Sequence, residues 1–135
     1  MGLGLPVLET WGMTETCSQV ATAIPGASPR SPVPLPGWSV RRRGGRLEVK
    51  GPALMTRYLD PGGGMSPLGA DGWFSTGDLG TVNPDGSVTI SGRADEMIVT
   101  GGENVSPFEV ERVLESVPGV GRAVVVGIPD REWGK

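Results

Sequence analysis

The sequence predicts a mixed α/β chain, mainly antiparallel β-structure in a barrel or sheet, followed by the first β-α-β portion of a small α+β domain. Three observations predict it. Short runs from Trp38 to Ser91 alternate apolar with polar residues, the period of a half-buried strand. Glycine pairs and an Asn-Pro-Asp-Gly element punctuate those runs. Beyond Val105 the period becomes that of one amphipathic helix and then gives way to an apolar run. The division falls between residues 1–94, the end of a larger domain, and residues 95–135, the start of a smaller one.

In chain order, Leu5–Thr10 reads as a short edge strand that runs into Trp11-Gly-Met-Thr-Glu-Thr16, and Gln19–Ile24 is a second apolar piece. Pro25, Pro29, Pro32, Pro34 and Pro36 follow. Each lacks an amide donor, so this connection is neither helix nor inner strand. Val40 before Gly44-Gly45, with Leu47 and Val49 after it, gives a hairpin. Pro52–Leu59 is a short apolar piece ahead of the loop Pro61-Gly-Gly-Gly64. Trp73-Phe74 opens the next strand, and Leu79–Val82 forms another. Asn83-Pro-Asp-Gly86 is a type I turn, because proline presets φ and glycine closes the turn, and Ser87–Ile90 returns as the partner strand.

Gly92–Val105 is a corner between the two parts, passing from Arg93 and Asp95 through four mostly apolar residues to Gly101-Gly102. Ser106 then caps a helix, with Pro107 at its first position and Glu109 three residues after the cap. Val110, Val113, Leu114 and Val117 form one apolar face, and Pro118-Gly119 stops the helix. Arg122–Ile128, apolar on both faces, reads as a buried strand.

Composition removes several function classes. The 135 residues include 23 glycines and 13 prolines, but these lie between β-branched runs and so mark turns rather than disorder. A formal net charge of −3 argues against a nucleic-acid or anionic-membrane partner. Arg41-Arg42-Arg43, followed by Gly44-Gly45, reads as the solvated face of a hairpin rather than a phosphate site. One cysteine and no histidine exclude a disulfide framework, a Cys/His zinc site and a Ser-His or Cys-His nucleophile pair. Cys17 alone points to a reducing compartment. No apolar run approaches the roughly 18 residues of a membrane span, and no basic segment leads into an apolar one, so the expectation is a soluble cytoplasmic protein.

Three places carry residue types suited to a nucleotide. In Trp11-Gly-Met-Thr-Glu15 an indole can stack on a base, Gly12 permits close approach, Thr14 can donate to a phosphate and Glu15 is a hard oxygen ligand. The alternative is a strand end with a core Trp and a capping Thr-Glu pair. In Ser75-Thr-Gly-Asp78 the carboxylate can accept both hydroxyls of a ribose, or it can bond its own turn. Arg93 and Asp95 can join such a site or form an ordinary surface ion pair. No P-loop and no Gly-x-Gly-x-x-Gly after a strand is present.

Taken in order, Trp11-Gly-Met-Thr-Glu-Thr16, Gly72-Trp-Phe-Ser-Thr-Gly-Asp78 and Gly92-Arg-Ala-Asp-Glu-Met-Ile-Val-Thr-Gly-Gly-Glu-Asn-Val-Ser-Pro-Phe-Glu-Val-Glu111 resemble the adenylate-forming superfamily. These are the acyl-CoA synthetases and their relatives. Gly45–Leu59 is similar to the family's barrel strand, and Met13–Val20 resembles most the 2-succinylbenzoate–CoA ligases of menaquinone synthesis. The resemblance implies that a carboxylate reacts with ATP to give acyl-AMP and pyrophosphate, after which coenzyme A displaces AMP. It implies that Trp11 stacks on adenine, that Gly12 and Met13 line the adenine and acyl sites, that Thr14 contacts phosphate and that Glu15 meets Mg²⁺. Asp78 and Arg93 would hold the ribose, and Asp95 would be the hinge of a small lid domain. Gly101, Gly102 and Glu103 would border the coenzyme A tunnel, and Ser18 and Gln19 the acyl pocket.

The sequence also departs from the family pattern. The family's Ser/Thr/Gly-rich phosphate loop and its catalytic lysine are not among these residues, and Lys135 matches an earlier family position than that lysine. Trp11 stands where a tyrosine is more usual, keeping the aromatic face. The expectation is a central slice of an acyl-CoA ligase, inactive by itself. The rival expectation is a truncated, non-catalytic paralogue that binds adenylate or docks on a full-length ligase.

Overall fold

A computed structural model describes residues 7–27, 31–59, 62 and 64–135. Among them the chain forms nine strands in antiparallel sheets and one α-helix, a mixed α/β architecture dominated by β-structure. Its contacts divide it into two compact units, Met1–Thr76 with Gly80–Thr89, and Gly77–Leu79 with Ile90–Lys135.

The first sheet has the order β1-β2-β3, with β1 Thr10–Met13, β2 Ser18–Ala23 and β3 Pro32–Pro34. The central strand carries the burial: Val20 and Ala21 are fully enclosed and Ala23 nearly so. Thr22 and Val33 pair across β2 and β3, and the proline-bounded β3 stays at the sheet edge, where missing donors cost no ladder bond. The register slips between Trp11, opposite Ala21, and Gly12, opposite Gln19, leaving Val20 as the extra residue of a bulge. The first strand starts later than the sequence suggests. Leu5 and Pro6 lie outside the described residues, and Val7–Glu9 are not in a strand, although Ala23 N–H reaches Glu9 O at 2.8 Å.

The second sheet has the order β4-β5-β6-β7. Strands β4 (Ser39–Arg43) and β5 (Arg46–Lys50) form the expected hairpin, with Gly44 and Gly45 at φ 58° and 84°, the paired positive angles of a tight reverse turn. Leu47 and Val49 point into the core with no exposed surface. Arg41 does not simply face solvent. Its guanidinium meets Glu48 and Asp71 at 2.6 Å each and lies 4.2 Å from the centre of the Trp73 ring.

Two expected strands, one opened by Trp73-Phe74 and one over Leu79–Val82, are a single strand, β6 (Phe74–Val82). Ser75-Thr-Gly-Asp78 has turn-forming composition, but here it continues the pleat. Phe74, Thr76, Asp78 and Gly80 are its buried positions. Residues 83–86 then turn into β7 (Val88–Arg93), with Gly86 N–H donating to Asn83 O at 2.9 Å. Residues 51–59, the latter part of the stretch likened to a barrel strand, contain no strand.

In the second unit, β8 (Ile98–Thr100) and β9 (Glu103–Val105) pair across Gly101-Gly102. Helix α1 (Pro107–Glu115) follows as expected, with the Ser106 hydroxyl accepting Glu109 N–H at 3.4 Å and donating to Ser91 O at 3.0 Å. The anticipated buried strand over Arg122–Ile128 does not form. Val124, Val126 and Ile128 are each at least 70% exposed. Two helix carboxylates take the place of a ladder partner: Glu115 accepts Ala123 N–H at 3.1 Å and Glu111 accepts Val125 N–H at 2.8 Å. An apolar run specifies a strand only when another strand supplies its hydrogen bonds. No described helix is long and apolar enough to cross a membrane.

Candidate functional site

In the first unit, a single 3-10 turn, Thr14–Thr16, links β1 to β2. It is locked by Thr16, a buried residue whose hydroxyl accepts Met13 N–H at 3.1 Å and lies 2.9 Å from Met13 O and 2.7 Å from Ser18 O. Cys17 ends the turn at φ 60°. Around it lies a shallow depression of about 420 Å³ lined by Gly12, Met13, Thr14, Cys17, Ser18 and Gln19, with Thr10 at its edge. Five residues singled out in the sequence are thus brought together: Gly12, Met13, Thr14, Ser18 and Gln19. Gly12 has a structural reason to be glycine. A Cβ there would lie 2.2 Å from Ser18 O, because the neighbouring backbone already fills that space. Trp11 is buried, 7% exposed, on the strand opposite Ala21.

Glu15 is fixed by a segment far away in sequence. Met55 N–H donates to its carbonyl at 2.8 Å, and the Tyr58 phenol donates to Oε1 at 3.0 Å. Desolvation first, and then the hydrogen bond and negative charge of Glu15, raise the pKa of Tyr58 above its ordinary value. The second carboxylate oxygen of Glu15 has no hydrogen bond or ion pair among the described residues. No group of three or more metal-ligating side chains occurs among the described residues. Glu15 thus offers one open carboxylate oxygen to a cation. That suits Mg²⁺, which commonly takes one or two carboxylates plus substrate phosphates and water. Sequence reasoning missed Tyr58, since nothing local ties it to Glu15.

In the second unit, Arg93 joins two acids. Its Nε and Nη2 donate to Oδ1 and Oδ2 of Asp95 at 3.0 and 2.9 Å, and Nη1 donates to Asp78 Oδ1 at 3.3 Å. Asp95, and more weakly Asp78, hold the guanidinium proton even more firmly than usual. Asp78 is nearly buried, with its side chain 12% exposed, because the pleat of β6 turns it inward. Gly77, at φ 81°, leaves room for the fork. A Cβ there would lie 3.3 Å from Arg93 Nη2, and Ala94 N–H bonds Gly77 O at 2.9 Å. The structure therefore assembles Asp78, Arg93 and Asp95 into one ionic group.

Gly101, Gly102 and Glu103 lie at the β8–β9 turn. Trp133 packs on it: a Cβ on Gly101 would come within 2.8 Å of the indole, and Gly101 N–H donates to Trp133 O at 2.9 Å. A Cβ on Gly102 would meet nothing within 4 Å. Trp133 is a further contact of this turn that the sequence did not reveal.

No family model matches the chain. Individual relatives do. A 2-succinylbenzoate–CoA ligase from Bacillus licheniformis is 39% identical over 145 residues, covering 97% of this chain and 30% of the relative. A solved structure of o-succinylbenzoate CoA synthetase (MenE) from Bacillus subtilis, in complex with the acyl-adenylate intermediate OSB-AMP, aligns with TM-score 0.74 and 36% identity. It covers 97% of this chain and 30% of that one. The chain belongs to the adenylate-forming, AMP-binding superfamily. ATP-bound MatB from Rhodopseudomonas palustris, another structure it resembles, aligns with TM-score 0.80 and 37% identity over 97% of this chain and 29% of that one. The chain spans about 30% of the length of the curated relatives it matches. Its identity to MenE and to MatB is nearly equal, so this segment reports the shared machinery more strongly than the acid.

Proposed function

We propose that the chain is the nucleotide-facing part of an ATP-dependent carboxylate–CoA ligase, with 2-succinylbenzoate as the acid. The observation that carries this reading is the bridge from Arg93 and its neighbour Asp95 to Asp78, 15 positions away, in one polar group. In this reading the carboxylate of Asp78 accepts ribose hydroxyls, with Arg93 orienting it. Trp11 occupies the family's adenine-stacking position but is 7% exposed here, so stacking requires the indole to be uncovered; Gly12 and Met13 line the adenine and acyl sides, and Ser18 and Gln19 border the acid. Thr14 donates to phosphate. Glu15 would hold Mg²⁺, which would supply neutralisation of phosphate charge.

In the first half-reaction a carboxylate oxygen bonds to the α-phosphorus as the bond to pyrophosphate breaks. In the second, the coenzyme A thiolate bonds to the acyl carbon and AMP leaves. Asp95 is the pivot between the two states, at the border of a large domain ending in a β-barrel at residue 94 and a lid beginning at residue 95. Gly101, Gly102 and Glu103 border the path of coenzyme A. The setting is the cytoplasm. The 135 residues alone do not ligate, because the phosphate loop and lysine that stabilise developing charge in the family are not among them.

The test is to purify the native product from its source cells, weigh it, and assay 2-succinylbenzoyl-CoA formation with ATP. A product several times 14.0 kDa that forms this thioester supports the reading. A soluble, monodisperse 14 kDa product without ligation supports the second reading, a non-catalytic module that holds adenylate or docks on a full-length ligase.

A further inference from the structure

We propose that Tyr58 is the positioning residue of Glu15, holding one carboxylate oxygen so that the other faces the metal–nucleotide. The inference rests on the ligase reading for what Glu15 meets, but its geometry stands independently. Glu15 is held twice from one segment, through its carbonyl by Met55 N–H at 2.8 Å and through Oε1 by the Tyr58 phenol at 3.0 Å. Tyr58 is itself held. Its N–H donates to Met65 O at 3.2 Å, and its carbonyl lies where a Cβ on Gly64 would be, 2.0 Å away. Gly64, at φ 72°, lies directly against the tyrosine backbone. Gly64 and Met65 thus anchor the tyrosine, and the tyrosine anchors the carboxylate.

An unheld glutamate samples several rotamers and must be ordered when its ligand arrives, which costs affinity. A hydrogen bond to Oε1 removes that freedom and leaves Oε2, which has no partner among the described residues, as the open ligand. Carboxylates that bind metals are commonly oriented by such outer hydrogen bonds, whose loss lowers affinity or activity about 10–100-fold. Tyr58 is 46% exposed, so removing its hydroxyl leaves no buried void.

Two measurements on Tyr58→Phe decide the matter. The first is side-chain NMR of Glu15 in the native product. The wild type should show one rotamer and the variant rotamer averaging, while the Met55 amide resonance stays in place. An equally ordered Glu15 in the variant overturns the inference, whatever the enzyme does. The second is ATP–pyrophosphate exchange by the native product carrying the same substitution. The expected result is a kcat lowered at least tenfold with the KM for the acid unchanged, and a Tyr58→Phe/Glu15→Gln double variant no worse than Glu15→Gln alone. Additive losses overturn positioning. A native product that performs no exchange refutes the ligase reading instead, and the NMR result then decides the inference by itself.

Discussion

Arg93 grips Asp95 with two parallel hydrogen bonds, at 3.0 and 2.9 Å, and keeps its third nitrogen for Asp78 at 3.3 Å. A planar fork can do this and an ammonium cannot. Arg93→Lys should therefore retain the charge and lose the geometry. With the Arg93 and Asp95 side chains 43% and 66% exposed, the change in global stability should stay below about 1 kcal/mol. The local effect should be larger in proportion. Amide exchange at Ala94 and Glu96, whose N–H groups bond Gly77 O and Arg93 O, should accelerate several-fold. Unchanged protection at both would show that the fork does not order this turn.

Gly12→Ala tests the strand crossing. The new methyl would lie 2.2 Å from Ser18 O and 2.6 Å from Gln19 Cα, both backbone atoms that cannot swing aside. The expected loss is about 1–3 kcal/mol or more, read from urea unfolding. A neutral result would mean that β1 and β2 are farther apart than described.

Acid should weaken the first unit through Asp71. The hydrogen bond from Arg41 comes first among the causes that lower the pKa of Asp71 below its ordinary value. A depressed folded-state pKa means that the stabilisation is fully present above the unfolded value, near 3.9, and is lost as pH falls through the folded value. Asp71→Asn should flatten that acid limb in a series of thermal melts between pH 5 and pH 2. An Asn variant with the same slope would remove Asp71 as its source.

Ser106→Ala removes both the helix cap and the bond to Ser91 O. The expected loss is about 1 kcal/mol, confined to the second unit and followed by helical circular dichroism. Restoration by Ser106→Thr, and not by Ser106→Val, would assign the effect to the hydroxyl.

What the sequence made legible was local. Gly44-Gly45, residues 83–86 and Ser106-Pro107 each encode their turn or cap within a few residues, and each formed as expected. The acids and arginine of the ionic group are likewise legible in the sequence as a polar cluster. Two kinds of fact were hidden. Burial of Asp78 depends on β6 running unbroken through Gly77, against the turn propensity of Ser-Thr-Gly-Asp. The Tyr58–Glu15 bond spans a separation of 43 positions and leaves no local trace. Arg122–Ile128 failed for a third reason: apolarity specifies a preference for burial, whereas a strand also needs a neighbour to accept its amides.

Cys17 is the only described residue other than glycine with a positive φ. Its Cβ crowds the backbone in that conformation, a disfavour of about 1–2 kcal/mol that the pairing of β1 with β2 overrides. The bend after Thr14 and Glu15 therefore carries a strained residue, held by the Thr16 hydroxyl and by the strands on either side. Glycine in place of Cys17 would relieve that disfavour while leaving the Thr16 bonds that close the turn in place.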